Sequence, residues 1–132
     1  MKTLQPADWK APRGYANGVV AQGETIFLAG QIGWNARCEF DSDDLVAQVR
    51  QALATVAAPL AAADARPERL VRMTWYAVDR RGYLARAKEI GAAYRELIGS
   101  YTVAMSAVQV AALVEDRAKV EIEVTAVRPF RR

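Results

Sequence analysis

The segment VEIEVTA, residues 120–126, alternates without a break: Val120, Ile122, Val124 and Ala126 are apolar, and Glu121, Glu123 and Thr125 lie between them. A period of two places one set on each side of a pleated strand, so one side fits a core and the other carries two carboxylates away from it. On a helix the same residues would spread around the circumference and leave no continuous apolar face. Just upstream, residues 104–113 form a second apolar run, and a polar stretch separates the two. The pattern predicts two strands at this end, over 104–113 and 118–127.

The rest of the chain alternates between the two periods. Residues 1–14, with Pro6, Pro12 and Gly14, show neither and read as an irregular lead-in. Gly23 between two apolar runs predicts a hairpin, Gly18–Gln22 against Thr25–Gly30. Leu45, Val49, Leu53, Val56 and Leu60 recur at helical spacing and predict a helix over 43–63. Ser42 is its expected N-cap, with Asp43 and Asp44 in the first turn, and Pro59 is expected to kink it or end it early. RLVRMTWYAV (69–78) reads as a strand, and Leu84, Ala87, Gly91, Tyr94 and Ile98 share the face of a second helix closed by Gly99. The order β-β-α-β-α-β-β is an α+β arrangement, expected as one domain over 1–132 with both helices on one face of the sheet. Strand 104–113 offers Ala104, Ser106, Val108, Val110 and Ala112 to one side and Met105, Ala107, Gln109, Ala111 and Leu113 to the other. Helices cover one side, and a second copy of the chain is the expected cover for the other.

Composition narrows the chemistry. The 132 residues include no histidine and one cysteine, Cys38. That removes His-based nucleophilic triads, His-ligated zinc and thiolate clusters, so no metal and no cofactor is expected. Any catalysis falls to carboxylates, Tyr, Lys, Arg, backbone groups and water. The net charge of +3 rests largely on Arg128, Arg131 and Arg132 near the end of the chain. This reads as a solvated basic tail, so nucleic acid is not an expected partner. A lone cysteine and the lack of a long apolar run or a leader pattern point to a cytoplasmic protein with no membrane partner.

Four stretches carry a family resemblance: GQIG at 30–33, QVRQALATVAAPLAAADA at 48–65, VRMTWYAVD at 71–79 and VEIEVTAVR at 120–128. Together, in order, they resemble the Rid family (YjgF/YER057c/UK114). The resemblance implies a chorismate-mutase-like (YjgF-like) fold, with two helices on one face of a mixed sheet. It also implies a homotrimer whose sheets pack into a central barrel, with ligand clefts between subunits. Archetypal members hydrolyse enamines and imines such as 2-aminoacrylate to keto acids and ammonia, and some were labelled translation inhibitors or endoribonucleases. Their cleft has an early Tyr, a Ser before Gly-Gln-Ile, an Arg in a Pro-Ala-Arg-Thr-like stretch that holds the substrate carboxylate, and a Glu on the last strand. Tyr15 fits the Tyr, Gly30 the glycine after the Ser, and Glu121 the Glu; Ala29 stands where the Ser would be, and Met105, in VAMS, where the Arg would be.

Each candidate has a plain structural role beside the functional one. Glu121 is either a water-orienting base or an interface carboxylate paired with a cation; Glu123 lies on the same side without support from the resemblance. Met105 either packs in the core or lines an apolar cleft, and it cannot pair with an acid. Tyr15 and Trp34, beside glycine-rich turns, are placed to stack on a planar ligand or to pack at an edge. Ser106 and Gln109 are possible hydrogen-bonding residues, Cys38 reads as a spectator, and Arg13 is the alternative cation. The expected protein is a Rid-like homotrimer that binds a small planar metabolite, with hydrolysis of an enamine or imine as its chemistry but poor action on 2-aminoacrylate. The alternative is a non-catalytic ligand-binding or stress-associated module, and endoribonuclease or translation-inhibitor activity comes third.

Overall fold

The computed structural model describes residues 1–99 and 102–131. Its elements are β1 (Lys2–Leu4), β2 (Gly18–Val20), β3 (Glu24–Ile32), α1 (Leu45–Ala62), β4 (Leu70–Ala77), α2 (Arg80–Ala85), α3 (Ala87–Leu97), β5 (Ala104–Gln109) and β6 (Val120–Arg128), with a 3-10 turn at Pro67–Arg69 before β4. The main sheet runs β3-β6-β4-β5, with β6 antiparallel to both neighbours and β4 parallel to β5.

The alternation of 120–126 orients this sheet. Val120, Ile122, Val124 and Ala126 are buried with Met73 and Trp75 of β4, beneath Val49, Leu53, Val56 and Leu60 of α1 and Ile90 and Ala93 of α3. Both helices therefore cover the same face, as expected. Helix α1 is long and apolar enough to cross a bilayer, but its apolar stripe is the roof of this core. Fully burying each Leu or Val on it contributes roughly 1.5–3 kcal/mol. The one buried polar side chain among the described residues is Gln48. Its Nε2 donates to the Ser42 and Arg117 carbonyls (3.1 and 2.9 Å) and its Oε1 accepts from Lys119 N at 2.8 Å, tying α1 to the segment before β6.

Several local expectations are corrected. The stretch 18–22 does not form a hairpin with 25–30. β2 pairs with β1, which lies in the supposed irregular lead-in, while β3 pairs with β6. The long-range partner β6 offers β3 a full-length ladder, and a turn at Gly23 (φ 150°) serves only to lead the chain from one small sheet into the other. Asp44, not Ser42, caps α1, its Oδ2 accepting from Ala47 N at 3.0 Å; Ser42 Oγ accepts from Asp44 N instead. Pro59 does not stop α1, which continues to Ala62, because its missing N–H falls near the last turn where few ladder bonds remain to be lost. The second helix is split at Arg86, whose guanidinium holds both Asp44 and Glu89. Gly99 does take the expected left-handed conformation (φ 106°), donating to the Tyr94 carbonyl at 3.1 Å.

Strand β5 is shorter than expected, ending at Gln109, whose Oε1 accepts from Arg80 N at 2.7 Å. Register settles its faces: Met105 lies beside Met73 and Ala107 beside Trp75 on the helix side, and Ser106 and Val108 lie beside Thr74 and Tyr76 on the other. The face away from the helices is thus more polar than the apolar side read from the sequence. It carries Thr74, Tyr76, Glu121, Glu123 and Thr125, with Phe27 79% exposed and Val108 47% exposed among them. The basic tail is also smaller than it looked. Arg128 belongs to β6, donating to Glu24 Oε2 at 2.9 Å and to the Ala63 carbonyl, and Arg132 lies outside the described residues.

Candidate functional site

On the open face, Glu121 of β6 sits between Ile32 of β3 and Tyr76 of β4. The register of β3 against β6 shifts between Leu28 and Gln31, so Ala29 and Gly30 lie in an irregular step. A Cβ on Gly30 would stand 2.6 Å from Glu121 Oε2 and 2.7 Å from its Cδ, so the glycine is what lets the carboxylate lie across β3. The Ala29 carbonyl accepts from Gln31 Nε2 at 2.8 Å. Glu121 is half-buried and makes no hydrogen bond or ion pair among the described residues; Glu123 is exposed opposite Thr74. Trp34, two residues beyond Ile32, is half-buried against Phe40 (ring centroids 5.8 Å), and Arg117 lies over that Phe40 ring at 5.4 Å. Cys38 is exposed in the same loop, in a left-handed conformation (φ 61°).

On the helix side, where β5 forms the sheet edge, a groove of about 790 Å³ runs between β5, α3 and the N-terminal segment. Met105 and Tyr15 line it, with Trp75, Tyr83 and Tyr94 as aromatic walls and Arg13 and Arg95 as its cations; no carboxylate of the described residues lines it. The isolated bridge between Ala16 and Ala104, with Ala16 N donating to the Val103 carbonyl at 2.8 Å, fixes Tyr15 beside β5. Tyr83 and Tyr94 stand edge-on and tilted to Trp75, 6.3 and 6.5 Å between centroids. Burial pushes both phenols up from their ordinary value, so both are neutral at any physiological pH. Trp75 Nε1 is buried with no hydrogen-bond partner among the described residues.

The candidate residues therefore fall mainly into two groups. Ala29, Gly30, Glu121 and Ser106 belong to the open face, with Trp34 at its Glu121 end; Tyr15 and Met105 belong to the groove. Met105 and Glu121 are two strands and three residue steps apart, about 14 Å between Cα atoms, on opposite faces of the sheet. Within one chain they cannot hold the same small molecule. Ser106 is exposed beside Thr74, which lies between it and Glu123 in the sheet. Gln109 is spent on Arg80 N.

Arg95 is the residue that sequence reasoning missed. It follows Gly91 by one helical turn, and its Nη1 lies 3.3 Å from where a Gly91 Cβ would be. A glycine in mid-helix, four residues before an arginine, was the available signal. Among the described residues, no group of three or more His, Cys, Asp or Glu could hold a metal ion.

Residues 7–128 match the family model described as Endoribonuclease L-PSP. No match was found among curated proteins. Among solved structures, the chain is similar to YyfB of Yersinia pestis, a Rid-family protein of unknown function (33% identity, TM-score 0.82, 96% of this chain and 98% of that one). It is also similar to the YjgF gene product of E. coli (33% identity, TM-score 0.68, 97% and 99%). A third is Rv2704 of Mycobacterium tuberculosis, of the YjgF/YER057c/UK114 family (31% identity, TM-score 0.64, 88% of each chain).

Proposed function

Because the chain belongs to the Rid (YjgF/YER057c/UK114) family, we propose that it works as a homotrimer that binds a small planar metabolite between subunits and hydrolyses an enamine or imine. One observation carries the reading. The half-buried carboxylate of Glu121 and the Tyr15–Met105 groove edge lie on opposite faces of one sheet, so a cleft containing both needs two copies. The exposed Phe27 on the Glu121 face supports a covering subunit there.

In this mechanism, Glu121 accepts a proton from water as the water oxygen adds to the carbon of the protonated C=N bond, giving a neutral carbinolamine. Glu121 passes that proton to the carbinolamine nitrogen and then takes the hydroxyl proton as the C–N bond breaks, so ammonia leaves as the carbonyl forms. Glu121 suits the task because no neighbouring cation among the described residues occupies it and Gly30 leaves it room to turn. Met105 cannot hold the carboxylate of 2-aminoacrylate, so that substrate is expected to be poor. The same reading places the protein in the cytoplasm, with Cys38 a spectator.

Glu121→Gln tests the chemistry. Turnover of imines released by an amino-acid oxidase is expected to fall at least about a hundredfold, with melting temperature and sedimenting mass unchanged. Equal turnover in the variant removes Glu121 from the mechanism. The non-catalytic binding reading is favoured by Ala29 and Met105, which leave the cleft without a hydroxyl and a cation at those positions; it expects binding with no turnover in either form. RNA cleavage ranks last, since the chain has no histidine and Arg37, Arg50, Arg86, Arg117 and Arg128 are held in ion pairs.

A further inference from the structure

The groove beside Met105 carries cations that the Met105 position does not. Arg13 reaches it from the N-terminal segment and Arg95 from α3. Neither makes a hydrogen bond or ion pair among the described residues, and both are exposed. Arg95 folds back along the helix over Gly91, its Nη1 3.3 Å from where a Gly91 Cβ would be. The groove's other walls include Tyr15, Tyr83, Trp75 and Tyr94, with Met105 as a pliable apolar filler. Aromatic walls favour a flat π-system, and two guanidinium groups with no carboxylate of the described residues beside them favour an anion.

We infer that this groove takes a planar aromatic or conjugated carboxylic acid, its acid group held by Arg13 and Arg95 and its flat body laid against the tyrosines and Trp75. The inference rests on the proposed intersubunit site and names its ligand class. The volume of about 790 Å³ accommodates such a molecule with room for water.

The probes are trans-cinnamate, its uncharged amide cinnamamide and the saturated cyclohexanecarboxylate, titrated calorimetrically into the full chain. Cinnamate is expected to bind at least about tenfold more tightly than either analogue, since loss of a charge-assisted contact or of stacking each removes a factor of that order. The double variant Arg13→Gln/Arg95→Gln, at two exposed positions, is expected to bring cinnamate down to the level of cinnamamide and leave cinnamamide unchanged. Cinnamate binding that is absent, or that survives the double variant, overturns the inference. Its failure is distinct from that of the hydrolase reading. Arginine-dependent binding without turnover of any imine leaves the groove assignment standing and removes the chemistry; turnover lost in Glu121→Gln with arginine-independent binding does the reverse.

Discussion

Two glycines near the end of β3 separate catalytic geometry from stability. In Gly30→Ala the new Cβ would lie 2.6 Å from Glu121 Oε2, 2.7 Å from Cδ and 2.9 Å from Cγ. Ordinary van der Waals contact begins near 3.4 Å. The carboxylate must therefore retreat by about 0.8 Å or change rotamer, and as the free end of a flexible side chain it can. An off-rotamer adjustment costs about 0.5–1.5 kcal/mol. For a domain of this size that lowers Tm by about 2–6 °C. The effect on chemistry is larger, because a 1 Å misplacement of a positioned group costs about a hundredfold in rate. Gly33→Ala is the opposite case. Its Cβ would meet Gln48 Cβ at 2.4 Å and Gln48 Cα at 2.8 Å, and Gln48 is fixed by three hydrogen bonds in the wall of α1. The helix itself must move, at about 1–3 kcal/mol or more. Thermal unfolding and imine turnover are measured on both variants. Gly30→Ala is expected to lose most activity and little stability, and Gly33→Ala to lose more stability than Gly30→Ala. A Gly30→Ala protein with full turnover refutes the role given to the Glu121 carboxylate.

Three further outcomes are open to measurement. The hydrogen bonds of Arg117 to Asp43, Arg86 to Asp44, Arg86 to Glu89 and Arg128 to Glu24 hold these carboxyls below their ordinary range. Groups depressed in the folded state contribute stability above their unfolded values and lose it as pH falls through the folded ones, so stability is expected to drop below about pH 4. Arg86→Ala flattens that acid limb; an unaltered limb on acid titration of the variant contradicts the assignment. Sedimentation at micromolar concentration is expected to give a trimer, and Phe27→Glu, which puts charge on the Glu121 face, to shift it toward smaller species; a stable wild-type monomer removes the intersubunit site. Met105→Arg is expected to raise kcat/KM on 2-aminoacrylate by about tenfold or more by supplying a carboxylate contact, and an unchanged value in a coupled assay shows that the β5 edge does not face the substrate.

What the sequence determined by itself was most of the elements and the division of faces within them. The period of 120–126 separated Glu121 from Val120 and Ile122, and the stripe from Leu45 to Leu60 marked the core side of α1, because side-chain direction follows locally from backbone period. Pairing partners are not local. Lys2–Leu4 became a strand only because Gly18–Val20 lay beside it, and Gly18–Val20 was thereby unavailable to β3, whose longer ladder formed with β6 at the far end of the chain. Which way β5 faces was likewise beyond local pattern. Both sides of 104–113 read as apolar, and only the parallel register with β4 turned Met105 toward Met73 and Ser106 toward Thr74. That register placed Met105 and Glu121 on opposite faces and so made the proposed cleft a matter for two chains. Arg95 was hidden for the same reason: an arginine on a polar helix face looks solvated until packing shows that it lines the same aromatic groove as Tyr15, 80 residues away in sequence.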